Sequence, residues 1–256
     1  MAVGRVAFTA WAMVLSLLFT VGFAGLTALT VTMWVADPRT AATNPVVDLG
    51  FFALGAVIIG GGFASQIRSP QRSIAGLQQA VIGLLCLTVA GVIGGRVEPT
   101  VGGLAFLLAT APLVALHPAR RDLFAPGARV SVPLAALTAL AAVPATGYAV
   151  RMLGLARRAG ASCFLGRCAT GDRYAEMAAL ALAVVLVGLL ATVRTRGWQI
   201  PTSSAAAAAV ILGATSLALP DLTGALQQPW AAMTVLWGLS FIAVARRRSP
   251  PWLSRT

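Results

Sequence analysis

Eight long apolar runs separated by short polar segments organise the chain. They cover positions 6–35, 49–67, 74–94, 101–116, 130–153, 174–193, 203–219 and 230–245. A membrane-spanning helix needs roughly 20 apolar residues. The pattern therefore predicts an all-α, polytopic transmembrane bundle of eight spans, with both termini on one side. The first run is about 45 Å long at 1.5 Å per residue, against a hydrocarbon core of about 30 Å. It must tilt or project beyond the bilayer. The h-region of a signal peptide is only about 7–15 residues, and no small-x-small site closes this run. It reads as an uncleaved start-transfer helix preceded by Arg5.

Composition agrees with this reading. The 256 residues are 58% hydrophobic and only 10% charged, and the mean hydropathy is +0.86. Soluble domains carry about 25% charged residues. Eight spans would take about 160 positions, leaving short loops and no room for a soluble domain.

Net charge is +12, which in a soluble protein would raise nucleic acid as a partner. Here the charges sit at span ends, so orientation and anionic lipid headgroups account for them, and no nucleic-acid partner is expected. All 19 basic residues are Arg. With the heavy use of Ala, Gly and Val, this suggests a GC-rich bacterial genome and a place in the bacterial plasma membrane. The lack of Lys excludes a retinal Schiff base.

Arg counts orient the bundle. One side collects Arg5, Arg68, Arg72, Arg120, Arg121, Arg129, Arg194, Arg196, Arg246, Arg247, Arg248 and Arg255 against only Asp122. The other holds seven Arg against six acids. The positive-inside rule predicts that the first side, with both termini, is cytoplasmic. Arg120, Arg121, Arg246, Arg247 and Arg248 are the candidate contacts to lipid headgroups there.

Residues 56–68 (AVIIGGGFASQIR) and 182–194 (LAVVLVGLLATVR) each close a span at an Arg, and 119–121 and 245–247 both read Ala-Arg-Arg. These likenesses suggest tandem halves, 1–129 and 130–256, each of four helices. Such repeats would be parallel, related about the membrane normal. Glycines at 55, 60, 61, 62, 83, 91, 94 and 95 mark faces where backbones approach closely. Pro112 and Pro144 fall inside apolar runs and predict kinks.

Candidate chemistry is sparse. Cys163 and Cys168 lie in the longest outer loop. On an oxidising side they read as a structural disulfide. The alternative is a redox pair, although four residues separate the two and the only other cysteine is Cys86. His117 is the single histidine. One histidine cannot supply a bis-His haem and leaves too few ligands for zinc, so no cofactor or metal is expected. Asp48 and Glu176 sit at the outer starts of the second and sixth spans. They read either as acids favoured by helix N-termini or as part of an outward-facing polar cavity with Arg151, which is placed to pair with Glu176. Gln78 and Gln79, near the cytoplasmic start of the third span, either cross-link helices or line such a cavity. The six Trp fall mostly near span ends, as interfacial anchors do. No phosphate-binding loop, serine-hydrolase elbow, zinc-protease motif or mid-membrane acid occurs, which weakens ion-coupled transport.

Segments 116–121 (LHPARR), 175–196 and 197–219, which opens GWQIP and ends before Pro220-Asp221, resemble a group of uncharacterised bacterial multi-pass integral membrane proteins. The resemblance covers roughly the second half and implies no activity, substrate or site residue. Three functional classes stay open. A transporter- or permease-like protein predicts a polar-lined cavity near the fourth and fifth spans. A structural or accessory subunit of a membrane complex predicts solid, Gly-lined packing. A membrane enzyme predicts a cleft joining Cys163, Cys168, Asp48 and Glu176. The absence of catalytic motifs favours a non-enzyme.

Overall fold

The computed structural model describes residues 2–36, 44–123, 130–159 and 170–247. Among them, eight helices are long and apolar enough to cross a membrane. They are α1 (Val6–Ala36), α2 (Pro45–Arg68), α3 (Ile74–Gly94), α4 (Val97–Leu116), α5 (Val132–Arg158), α6 (Gly171–Thr192), α7 (Gln199–Ala218) and α8 (Gln228–Arg247). No strand occurs among the described residues. The architecture is the expected all-α bundle. Hydrocarbon leaves few alternatives, because an unpaired backbone group there costs several kcal/mol and a helix pairs its own.

Several helices begin before their apolar runs do. The runs mark the most apolar stretch, whereas a helix can begin in the polar residues ahead of it. At α2, the Asn44 side chain accepts from the Val46 N–H at 3.1 Å, with Pro45 in the first turn. Asp48 thus falls inside the helix rather than ahead of it. The α3–α4 turn is set by Gly95, whose φ of 68° is left-handed. The Arg96 N–H returns to the Gly91 carbonyl at 2.8 Å.

Burial is graded. α2 and α6 are the most enclosed, α3 and α7 come next, and α1, α4, α5 and α8 are the least enclosed. α6 packs on α2, α3, α5 and α7, while α2 packs on α1, α3, α6 and α7. Small side chains permit this. Ala175, Ala178, Ala179 and Ala183 on α6, and Ala205, Ala206, Ala208 and Ala209 on α7, are all buried. On the first-half flank, Phe19 of α1 meets Phe63 of α2 and Phe106 of α4, with ring centroids 5.8 and 4.7 Å away.

Two peripheral helices are clasped to their neighbours by glycine. A Cβ on Gly213 would lie 2.7 Å from the Ala231 carbonyl oxygen, and one on Gly238 2.8 Å from that of Ala206, joining α7 to α8. A Cβ on Gly91 would lie 2.6 Å from the Thr100 nitrogen, and one on Gly103 2.9 Å from that of Thr88, joining α3 to α4. α1 and α2 each widen into a π-helical stretch, Leu18–Gly22 and Ala53–Gly60, and these stretches pack on each other. Both helices α4 and α5 run on through Pro112 and Pro144. Each proline lacks an N–H, so the carbonyls of Leu108 and Leu140 lose their usual helical donor.

Glycine clasps and open glycines should respond in opposite ways. Gly213→Ala forces backbone apart, and overpacking of this kind costs about 1–3 kcal/mol. An added Cβ at Gly147 in α5 meets nothing within 4 Å. Gly147→Ala should therefore be neutral, or stabilising by up to about 1 kcal/mol through helix propensity. Thermal unfolding of the two variants in detergent measures both.

Candidate functional site

Three polar or hollow regions stand out: a buried ion network at the predicted outer face, a cavity flanked by α5 and α8, and a hydrogen-bonded cluster at the predicted cytoplasmic face.

The first turns of α2 and α6 come together at the predicted outer face. Asp48 and Glu176 are both buried there, and Arg173 lies between them. Its Nη1 is 3.1 Å from Glu176 Oε2, and its Nε is 4.0 Å from Asp48 Oδ1. The guanidinium also stacks 4.1 Å from the Phe51 ring centroid. Asn44 Nδ2 donates to the Thr223 carbonyl at 2.6 Å, tying this end to the α7–α8 loop. Arg96 is buried nearby and donates to the carbonyls of Ala156 and Ala159 at the end of α5. Asp172 is buried in the first turn of α6, close to the partial positive charge of a helix N-terminus.

The sequence left Asp48 and Glu176 either as acids at separate helix N-termini or as part of an outward-facing polar cavity with Arg151; the structure places both beside Arg173. It pairs Glu176 with Arg173, however, and not with Arg151. Arg173 immediately precedes the apolar run at 174–193 and stands three residues before Glu176 on the same helix. That i,i+3 spacing was the available signal. Cys163 and Cys168 lie outside the described residues, as does Arg248; Cys86 is buried with a free thiol.

The second region is a cavity of about 400 Å³ flanked by α5 and α8, with α6 and α7 behind it. Its walls are Ala141, Ala145, Ala181, Val184, Ala209 and Leu212. α5 and α8 meet over only a short stretch, so the cavity opens on the side of the bundle between them. Leu140, Pro144 and Met233 stand exposed along it. At its deep end Trp237 Nε1 donates to the Leu137 carbonyl at 2.8 Å. Toward the outer end Tyr148 donates its hydroxyl to the Gly224 carbonyl at 2.6 Å. Arg151 and Gln227 complete the lining at that end. Neither Tyr148 nor Trp237 was singled out from sequence as part of a cavity, because nothing in the order of residues distinguishes them from packing aromatics.

At the predicted cytoplasmic face, Gln79 Nε2 donates to the Ile58 carbonyl in the π stretch of α2 at 2.6 Å, and Gln78 Nε2 to the Leu123 carbonyl at 2.5 Å. Both glutamines join elements and lie away from Arg151, Asp48 and Glu176. His117 is buried just beyond α4. Its Nδ1 accepts from the Ala119 N–H at 3.1 Å, so the proton sits on Nε2, which faces Gln66 Oε1 at 3.3 Å. Phe8 meets the ring edge-on at 5.6 Å. Arg120, Arg121, Arg246 and Arg247 are exposed at this face, and Arg196 pairs with Asp122 at 3.1 Å.

Fold and surface define a multi-pass membrane protein whose described residues form a helical bundle. Compared with known proteins, the chain matches no family model, no curated sequence and no solved structure.

Arg173→Met would leave two buried carboxylates without their counter-charge. Breaking a buried pair costs about 3–5 kcal/mol, and the partial exposure of Arg173 places the loss at the lower end. Adding Asp48→Asn and Glu176→Gln should recover most of it. An equal loss in the single and triple variants would mean that Arg173 acts by packing on Phe51 instead.

Burial pushes the His117 imidazole below its ordinary value, against the opposing pull of the Pro70 backbone. The folded chain thus binds a proton less readily than the unfolded chain. Stability should be full above the unfolded value of about 6.5 and fall as pH drops below it. Melting curves across that window should flatten in His117→Gln.

Proposed function

We propose that this is a transporter-like membrane protein whose cargo is an amphipathic molecule taken sideways from the bilayer. The cavity flanked by α5 and α8 is the observation that carries this reading. It is mostly apolar and lies between the fifth and eighth spans, not the polar-lined cavity near the fourth and fifth that the sequence led us to expect, and its volume of about 400 Å³ falls in the range of roughly 300–1,000 Å³ common for ligand pockets. An accessory subunit held together by small residues would need no such hollow. For a membrane enzyme at the outer carboxylates, Arg173 and Phe51 occupy the space that a substrate would need. The predicted placement in a bacterial plasma membrane, with the Arg-rich face inward and Arg120, Arg121, Arg246 and Arg247 against anionic headgroups, belongs to the same proposal.

Tandem duplication of halves 1–129 and 130–256 is part of it. Burial rises and falls in the same order along α1–α4 and α5–α8. Glycine clasps α3 to α4 as it clasps α7 to α8. α2 meets α7 as α6 meets α3. In this scheme the counterpart of the α5–α8 cavity lies between α1 and α4. There Phe19 packs on Phe106, and Trp11 Nε1 donates to the Ala109 carbonyl at 2.7 Å. One half is filled and the other hollow, as expected if the second half specialised.

Vesicles carrying the protein should move a short-chain fluorescent amphiphile between leaflets faster than protein-free vesicles. Ala145→Phe, which fills the cavity from α5, should abolish the gain while the protein still elutes as a folded species. Transfer no faster than in empty vesicles would overturn the reading.

A further inference from the structure

The geometry points to a ligand with an anionic head and a single acyl-like tail, standing with its head at Arg151 and its tail toward the bilayer centre. This rests on the lateral cavity being a binding site, as proposed above.

The cavity is polar at one end only. Along α5 its lining runs from Leu140 through Ala145 to Arg151, and along α8 from Trp237 through Met233 and Trp230 to Gln227 at its start. Both sequences pass from mid-helix outward, so the apolar part lies at tail depth and the polar end near the outer interface. The Tyr148 hydroxyl at that end already donates to Gly224. Arg151 is different. It is exposed, and among the described residues no carboxylate lies within 4.0 Å of it and no hydrogen bond occupies it. Arg157 Nε donates to the Ile93 carbonyl at 2.8 Å and Arg173 to Glu176 at 3.1 Å; Arg158 is exposed like Arg151 but does not line the cavity. A guanidinium with free donors at the mouth of an apolar slot suits a carboxylate or phosphate, which it can grip through two parallel hydrogen bonds. Gln227 adds an amide beside it. A volume of about 400 Å³ is at the small end for ligand sites and suits one chain rather than two.

Two tryptophans, Trp230 and Trp237, line the cavity and can report occupancy. With Trp11, Trp34, Trp198 and Trp252 replaced by Phe, the protein is placed in neutral phosphatidylcholine vesicles. Dibromostearic acid, its methyl ester and a brominated two-chain phosphatidylglycerol are then added to equal mole fractions. At alkaline pH the acid is ionised. The acid should quench at about tenfold lower mole fraction than the ester, the scale of a charge-assisted hydrogen bond, and the two-chain lipid should quench no better than the ester. Arg151→Gln should erase the difference between acid and ester, and Arg151→Lys should keep part of it. Equal quenching by acid and ester, or a preference that survives Arg151→Gln, overturns the headgroup assignment while leaving the lateral cavity standing. Stronger quenching by the two-chain lipid overturns the single-chain assignment. No quenching beyond that of the Ala145→Phe variant by any probe overturns lateral binding itself. The wild-type comparison of acid with ester decides the matter even if the Arg151 variants fail to fold.

Discussion

In hydrocarbon, lipid tails compete with side chains for every apolar contact, so helices hold together only where their backbones come close enough for dense packing. That constraint decides which parts of this bundle are solid. α6 and α7 supply alanines to the centre, and Gly91, Gly103, Gly213 and Gly238 let α4 and α8 lie almost backbone to backbone on their neighbours. The same small side chains leave a hollow wherever no neighbour closes in. Ala141, Ala145 and Gly147 line such a hollow beside α5, and a Cβ on Gly147 would meet nothing within 4 Å. Solidity and hollowness follow from one residue class, separated by whether a clasp is present.

A second constraint acts at the outer ends of α2 and α6. Bringing these two helices together at the centre also brings together the acids of their first turns. Each acid suits its own helix N-terminus, but a buried carboxylate is costly without a counter-charge, and Glu176 also feels the negative charges of Glu98 and Asp172. Arg173 relieves this by lying between them with its face on Phe51. An ion pair so placed need not add net stability, because desolvation offsets much of the attraction. It does make the α2–α6 register hard to change, since any slip separates a charge from its partner. The ion network therefore reads as a positional lock on the central helix pair, and the hollow flanked by α5 and α8 stands apart from it.

The spans were legible because membrane helices announce themselves by composition: all eight apolar runs correspond to helices, and the run at 74–94 has the ends of α3. Elsewhere the ends differ by a few residues where capping, not hydropathy, sets the boundary, as at Asn44 and Pro45. The positions of Asp48 and Glu176 at helix starts were legible, but their sharing of Arg173 was not. Charge near a span end looks the same whether it caps, pairs or meets water. The cavity was not legible at all. Alanine on α5 has the same signature as alanine on α6, and only the separation of α5 from α8 distinguishes a lining residue from a core residue. The π stretches of α1 and α2 likewise arise from the approach of one helix to the other, with Gln79 donating to the Ile58 carbonyl within one of them, and leave no local mark.

Viewed as two halves, the bundle gives similar clasps and similar central helices to each, and differs in what fills the flank. Phenylalanine closes the space between α1 and α4, whereas small residues and Pro144 line the space flanked by α5 and α8. A chain under selection only for stability has reason to fill both, since each void forfeits packing contacts. Retaining Arg151 at the mouth of the unfilled one compounds the cost, because a cation without an acceptor beside hydrocarbon is unfavourable. The unfilled void and the cation without an acceptor at its mouth are accounted for together by the proposed ligand, which supplies the missing contacts and the missing anion.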